Sequence, residues 1–295
     1  MKKKIYLYLC GGIGNQLFQY ACARNLAIKN NAKLILDINT GFISDFRWKN
    51  KFLLNKFKIK NCYLKKNVIV FFFYRIYNFF FKKKNNFFFK DLIDETHIHK
   101  FNDKILSYKF KRNLYLLGFF QSEKYFFKNK KIILKEIMPK SSKNQIFIDI
   151  KNKMKNSSSV AIGCRLYEES SNQIAAKMGG VEKFKFYKNS LSKIIKTIKD
   201  PIFFLFSTNS KNLIRIVDFL KKNKHKFYII TPDYGFEDVV DNLWLLSYCK
   251  NHIISNSSFY WWGAYLSGLN YKKQLIISSK KFVNLDSCLP EWKKI

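Results

Sequence analysis

The chain is poor in arginine: six of its 55 basic residues are Arg and the rest are Lys. Proteins that read bases in duplex nucleic acid lean on arginine's forked donors for guanine. The scarcity therefore argues against nucleic acid as the partner, although the formal net charge is +35. Lysine spread over every segment instead makes a solvated basic surface, suited to anionic lipid or to a polyphosphate substrate. Also lacking is any C-x-x-C pair or His/Cys cluster with zinc spacing. Cys10, Cys22, Cys62, Cys164, Cys249 and Cys288 are scattered, so there is no metal site to assign. Cys10 and Cys164 end apolar runs and read as small buried hydrophobes. No secretory leader is read, because MKKK is followed by a short strand-like run and then by glycines. A reducing cytoplasm is the expected compartment. Finally, no apolar run reaches the roughly 20 residues that span a bilayer. The nearest, VIVFFFYRIYNFFF, covers residues 68–81 and contains Arg75 and Asn78. It reads either as a core helix or strand pair, or as a patch lying on a membrane. Lys65 and Lys66 before it, and Lys82, Lys83 and Lys84 after it, suit an anionic lipid surface.

What is present suffices for two domains: 295 residues, 47% of them hydrophobic. Residues 5–10 read as a buried strand, GGIGN as a turn, residues 16–29 as a helix and residues 34–38 as a second strand, a βαβ opening that implies a parallel sheet. Residues 40–113 are Phe/Lys/Asn-rich and resist parsing, and YLLGFF at 115–120 is again a strand. The Ser/Asn/Lys-rich stretch 141–159 reads as the connection between domains. Beyond it, five strands (160–164, 202–207, 226–231, 252–255 and 274–278) alternate with four helices (184–198, 211–222, 239–249 and 259–267). That alternation is a doubly wound parallel sheet. The expected fold is α/β, two Rossmann-like domains at 1–150 and 151–295 facing a cleft that would hold the site.

Four segments carry chemistry. In GGIGNQLFQYA, residues 11–21, Gly12 and Gly14 lie between strand and helix, where free N–H groups favour an anion. A dinucleotide fingerprint would want Gly where Leu17 stands, and a P-loop would want G-K-[ST]. Asn15 and Gln16 beside the glycines add to the case for ligand contact. In GCRLYEES, residues 163–170, Arg165 follows a strand at the edge where open sheets bind ligands, and its planar fork suits a diphosphate. Glu168 and Glu169 could hold Arg165, bind sugar hydroxyls or act as a base, and a surface salt bridge is the blander reading. In FSTNS, residues 206–210, Thr208 and Asn209 suit nucleoside hydroxyls and equally suit capping of the next helix. In ISNSSFYWWGAYL, residues 254–266, Asn256, Ser257 and Ser258 stand at a helix N-terminus, a phosphate site. Trp261 and Trp262 read as packing, and His252 as a core histidine.

Together GGIGNQLFQYA, LLGFFQSEKYF (residues 116–126) and NLWLLSYCKNHIISNSSFYWWGAYL (residues 242–266) resemble bacterial α-1,2-fucosyltransferases. The resemblance implies a GT-B fold, GDP-β-L-fucose as donor, inversion at the anomeric carbon, and no metal or other cofactor. It puts the acceptor on the N-terminal domain and the donor on the C-terminal one. It places Arg165 on the β-phosphate, Asn256, Ser257 and Ser258 near the phosphates, and Asn15 near the reaction centre. Glu168 is the candidate base. The family's His-x-Arg-Arg-x-Asp motif is altered here: Gly163 stands for His, Leu166 for the second Arg and Glu168 for Asp. FSTNS likewise replaces Phe-Ser-Asp-Asp. These changes fall in donor-handling loops. The implied reaction is transfer of L-fucose to a hydroxyl, the 2-OH of a galactoside, on an oligosaccharide or lipid-linked surface glycan. The protein would be cytoplasmic, with a peripheral contact to anionic lipid at the inner face of the cytoplasmic membrane. Two alternatives stand: another GDP-sugar (6-deoxyheptose, colitose or mannose), or an inactive relative that binds membrane or nucleic acid.

Overall fold

A computed structural model describes residues 2–43, 45–46, 49–60, 62–81, 91–96, 98, 100–165, 182–282 and 284–295. Two compact units emerge. The first comprises Met1–Met138 and Asn284–Ser287, the second Pro139–Val283 and Cys288–Ile295.

In the first unit the strands β1 (Lys4–Tyr8), β2 (Lys33–Asp37), β3 (Cys62–Lys65), β4 (Leu92–Asp94) and β5 (Asn113–Leu117) form one parallel sheet in the order β3-β2-β1-β5-β4. Strand alternation sorts the side chains of β1 onto two faces. Ile5 and Leu7, both fully buried, lie on the face of helix α1 (Ile13–Lys29). Tyr6 and Tyr8 lie on the other, where helix α2 (Ile69–Phe81) brings Phe71 and Tyr74 down beside Val68, Leu92, Leu117 and Tyr115. The aromatic run is thus a helix. Its aromatic-rich sequence hid the period, since with Phe at successive positions no single face stands out.

Helix α1 starts three residues before the reading from sequence. Gly12 is its N-cap, and its carbonyl accepts from the N–H groups of Asn15 (3.0 Å) and Gln16 (3.1 Å). The glycines masked this start, because they read as turn. Only Gly11 needs the freedom, at φ +73°, while Gly14 sits in the first helical turn. Further along α1, Arg24 pairs with Glu136 of helix α4 (Lys130–Ile137) through Nε and Nη2, each at 2.9 Å. The Tyr20 hydroxyl donates to the same carboxylate at 2.7 Å. The unit also includes the short helix α3 (Asp103–Ser107) and the segment Asn284–Ser287. In that segment Asp286 accepts from the Phe101 N–H at 2.8 Å, and the Ser287 hydroxyl donates to the Gln121 carbonyl at 2.6 Å.

In the second unit β6 (Ser158–Gly163), β7 (Pro201–Phe206), β8 (Phe227–Ile230), β9 (Asn251–Ile254), β10 (Ile276–Ser278) and β11 (Lys293–Lys294) make a parallel sheet in the order β11-β10-β9-β6-β7-β8. The sixth strand escaped the sequence reading because two exposed lysines carry no apolar signal. Helices α6 (Phe184–Thr197) and α7 (Ile214–Lys222) bury Leu191, Ile194, Ile216 and Leu220 on Val160, Ile162, Phe203 and Leu205. A 3₁₀ turn, Ser210–Leu213, stands where the sequence suggested the start of α7. Helices α8 (Val239–Leu246) and α9 (Ser258–Ser267) pack together, and Gly263 allows the close approach, since a Cβ there would lie 2.6 Å from Leu246 Cβ. Trp261 and Trp262 are fully buried, and Trp261 stacks on Tyr265 at 4.5 Å. His252 is buried too, its Nε2 3.2 Å from the Cys249 carbonyl, and burial lowers its pKa to about 4. Residues 141–159, read as a connection, instead hold helix α5 (Gln145–Lys155), whose Phe147, Ile150 and Met154 recur at helical spacing on a buried face.

The Arg24–Glu136 pair is the most exposed of these arrangements to single substitutions. Glu136→Ala would leave a guanidinium buried without its counter-charge, a change that costs about 3–5 kcal/mol. Urea unfolding of the variant should show a midpoint far below wild type with the transition still cooperative. An unchanged midpoint would contradict the pairing.

Candidate functional site

Each sheet has one place where the strand order reverses, and open α/β sheets bind ligands outside the carboxyl ends of the strands at such a point. In the second unit the chain runs from β6 outward through β7 and β8, then returns to β9 on the other side of β6. The switch point lies between β6 and β9. There Gly163 is in register with Ile254, and on the other side with Phe206. Arg165, Thr208 and Asn256 therefore all follow strands that end at one edge.

The backbone around Arg165 is fixed by Tyr187, a fully buried residue of α6. The Tyr187 hydroxyl accepts from Arg165 N–H at 2.8 Å and lies 3.3 Å from the Gly163 carbonyl. The Arg165 carbonyl accepts from Glu182 N–H at 2.6 Å. Among the described residues no carboxylate pairs with the Arg165 guanidinium. Leu166, Glu168 and Glu169 lie outside the described residues.

Gly163 is dictated by packing. A Cβ there would stand 2.3 Å from Cγ of Tyr260, whose hydroxyl donates to the Phe206 carbonyl at 3.1 Å. Tyr260 thus leaves no room for a side chain at position 163.

Asn256, Ser257 and Ser258 form the turn from β9 into α9. Ser257 is the N-cap residue, yet its side chain makes no capping bond. The Nδ2 of Asn256 is buried and has no hydrogen-bond partner, while the hydroxyl of the neighbouring Ser255 bonds to Tyr187. A buried donor left unmade costs about 1–3 kcal/mol, and at a helix N-terminus the Asn256 amide is suited to a ligand that would complete its bonding. Thr208 and Asn209 are exposed and serve their own loop. Asn209 Oδ1 accepts from Asn212 N–H at 3.2 Å as the cap of the 3₁₀ turn, and Asn212 Nδ2 donates to Thr208 Oγ1 at 2.9 Å.

The switch point of the first sheet lies between β1 and β5. Asn15 stands in the first turn of α1, which follows β1, and Gln121 in the loop that leaves β5; Gln121 Nε2 donates to Asn15 Oδ1 at 2.9 Å. Gly12 and Gly14 belong to the same turn, with Asn50 Oδ1 3.5 Å from the Cβ position of Gly12. Gln16, taken from sequence as a ligand contact, is fully buried and wholly committed to main chain. It donates to the Gly11 and Lys51 carbonyls, both at 2.9 Å, and accepts from Leu53 N–H at 3.0 Å. Sequence reasoning missed Gln121, whose partner is 106 residues away, and Glu95.

Glu95 follows β4, and its Oε2 accepts from the N–H groups of Phe119 and Phe120, each at 2.9 Å. It thereby holds Phe120 at φ +49°, a conformation that bulky residues rarely adopt. The Tyr125 hydroxyl also bonds this carboxylate. Burial lifts this carboxyl to about 7, against the downward pull of the two N–H groups.

Two doubly wound parallel sheets, each with polar side chains gathered at its switch point, are the GT-B architecture of glycosyltransferases. The chain belongs to Glycosyl transferase family 11, which it matches over residues 2–295. It is 28% identical to an alpha-1,2-colitosyltransferase of Escherichia coli, over 97% of each chain. It is 24% identical to the O-antigen biosynthesis glycosyltransferase WbnK of Escherichia coli, over 94% of each. Among solved structures, fucosyltransferase NodZ from Bradyrhizobium superposes with a TM-score of 0.56 at 12% identity, covering 90% of this chain and 94% of that one. A mutant of Arabidopsis thaliana FUT1 in complex with GDP gives 0.55 at 13% identity, covering 94% and 70%.

The raised pKa of Glu95 has a definite sign in stability. Folding lifts it from the ordinary 4.5 to about 7, so the native state binds the proton more tightly. The stabilisation is fully present below pH 4.5 and is lost as pH rises through 7, in total about 3 kcal/mol. Glu95→Gln keeps an acceptor for Phe119 and Phe120 but cannot ionise. It should match wild type closely near pH 5 and exceed it in stability at pH 8, as urea titrations at both pH values would show. A parallel pH dependence in both proteins would refute the assignment.

Proposed function

We propose that the chain is an inverting transferase that moves L-fucose from GDP-β-L-fucose to a hydroxyl, the 2-OH of a galactoside, on a surface glycan. The observation that carries the reading is the buried, unpartnered amide Nδ2 of Asn256 beside Arg165 at the switch point of the second sheet. A diphosphate bound there would supply the missing acceptor. The second unit is thus read as the donor side. The first, with Asn15 and Gln121 at its own switch point, is read as the acceptor side.

In the proposed reaction the acceptor oxygen attacks the anomeric carbon as the bond from that carbon to the GDP oxygen breaks. The hydroxyl proton passes to a base, for which Glu168 is the candidate. Negative charge grows on the departing diphosphate. Arg165, the Asn256 amide and the N-terminal dipole of α9 with Ser257 and Ser258 take up that charge. Gly12 and Gly14, at the turn into α1 where main-chain N–H groups are free, are assigned to the donor phosphates. Thr208 and Asn209 are assigned to the nucleoside. The reading includes no divalent cation, and full turnover in excess EDTA is its direct check.

A second reading concerns the sugar and is favoured by the 28% identity to a colitosyltransferase. Colitose is L-fucose without its 3-hydroxyl. A site that hydrogen-bonds that hydroxyl rejects the deoxy sugar by about 10⁴–10⁵, whereas a site with an apolar wall there discriminates by about 10² or less. Mannose and 6-deoxyheptose complete the donor panel. The acceptor class, an O-antigen-type glycan, is supported by the similarity to an O-antigen biosynthesis glycosyltransferase.

The deciding experiment has two arms. GDP titrated by calorimetry into wild type and Asn256→Ala should show binding that is weakened about tenfold or more in the variant. Arg165→Ala should lower kcat about 10²–10³-fold with its melting temperature unchanged. Absence of GDP binding by the wild type, or near-normal turnover by Arg165→Ala, would sink the proposal. The GDP-sugar panel, read by mass spectrometry of the product, assigns the sugar.

A further inference from the structure

Helix α2 has two apolar faces. One, with Phe71 and Tyr74, is seated on the first sheet. The other carries Ile69, Phe72, Phe73 and Ile76, at positions i, i+3, i+4 and i+7, with exposures of 64, 49, 53 and 40%. A helix on the surface of a globular unit normally turns a polar face outward. Two polar groups of the same stretch are spent inward. The Tyr74 hydroxyl donates to Asp94 Oδ2 at 2.7 Å, and Arg75 Nη1 donates to the Thr40 carbonyl at 2.8 Å. The exposed face is left with four large apolar side chains in a row.

Along the sequence the charge that flanks this helix is of one sign. Between Asp45 and Asp91 the sequence has thirteen Lys and Arg residues and no Asp or Glu. Lys65 and Lys66, both exposed, stand directly before the helix. Such a combination of exposed aromatics and uncompensated lysines complements a surface that is apolar beneath and anionic above. At 13 residues the helix is about 20 Å long, against the ~30 Å of a bilayer core. Among the described residues no helix is long and apolar enough to cross a membrane, so α2 would lie in the plane of the interface.

We infer that the outer face of α2, with Lys65 and Lys66, docks this protein on an anionic phospholipid surface. Phe72 and Phe73 enter the boundary between headgroups and acyl chains, and the lysines meet the phosphates. The inference is independent of the donor sugar and of the residues assigned to its transfer.

The test uses the full chain and vesicles of phosphatidylglycerol and phosphatidylcholine. Wild type should co-sediment with mixed vesicles, weakly or not at all with pure phosphatidylcholine, and less as salt is raised. Phe72→Ser with Phe73→Ser should weaken binding about tenfold or more per residue. Lys65→Glu with Lys66→Glu should weaken it about fivefold or more per charge. Both double variants should melt as wild type does and keep their turnover on a soluble acceptor. In a third variant, Ile69→Trp, emission should shift to the blue on addition of anionic vesicles. Equal vesicle binding by wild type and Phe72→Ser with Phe73→Ser, or no binding by wild type, overturns the inference. So does a face that drives self-association in sedimentation velocity, or duplex DNA binding, without vesicle binding.

Discussion

Main-chain groups that leave the carboxyl edge of a parallel sheet lose their strand partners, and each must find another or remain unmet in a buried place. The first unit meets this demand with buried polar side chains. Gln16 serves Gly11, Lys51 and Leu53, and Gln19 serves Gly118 and Cys10. Asp37, fully buried at the end of β2, accepts from the N–H groups of Asn39, Thr40 and Val68 and from the Thr40 hydroxyl. Glu95 holds Phe119 and Phe120. The second unit solves the same problem with phenols: Tyr187 at Gly163 and Arg165, Tyr260 at Phe206 and Cys164. Remove these groups and both ligand-facing edges lose their shape before any catalytic residue is touched.

A rigid edge is useful to a transferase because it cannot reorganise as charge moves onto the leaving group. Fixed donors already aimed at the diphosphate stabilise it without the cost of reorientation. The two edges differ in that respect. In the first unit almost every polar atom near the switch point has a protein partner. In the second, the Asn256 amide Nδ2 does not. Buried polar atoms are satisfied in the great majority of cases, so the imbalance points to the second edge as the one shaped around a charged ligand.

Much of this was legible in the sequence, and the rest was hidden for physical reasons. Strands such as VAIGC and HIIS are short apolar runs between turns, and their alternation with helices gave the doubly wound sheet. The resemblance carried by residues 242–266 led to the family. Composition concealed the middle: a helix whose two faces are both apolar has no period to detect, and β11 is built of two lysines. Chemistry at long sequence separation was hidden as well. Nothing near Gln121 announces Asn15, and nothing near Glu95 announces the strained Phe120. Gln16 misled for a related reason, since an amide beside glycines looks the same in sequence whether it faces a ligand or braces a loop.

The first unit takes four of its residues from far along the chain, Asn284–Ser287. Asp286 accepts from the Phe101 N–H and the Ser122 hydroxyl, and Ser287 donates to the Gln121 carbonyl, next to the amide that meets Asn15. During synthesis the ribosome therefore releases the whole first sheet while one of its loops still waits for a segment not yet translated. Assembly of this protein is not a simple procession from the N-terminus. The Asn15–Gln121 pair is steadied only after the second sheet's own strands, β6 to β10, have emerged.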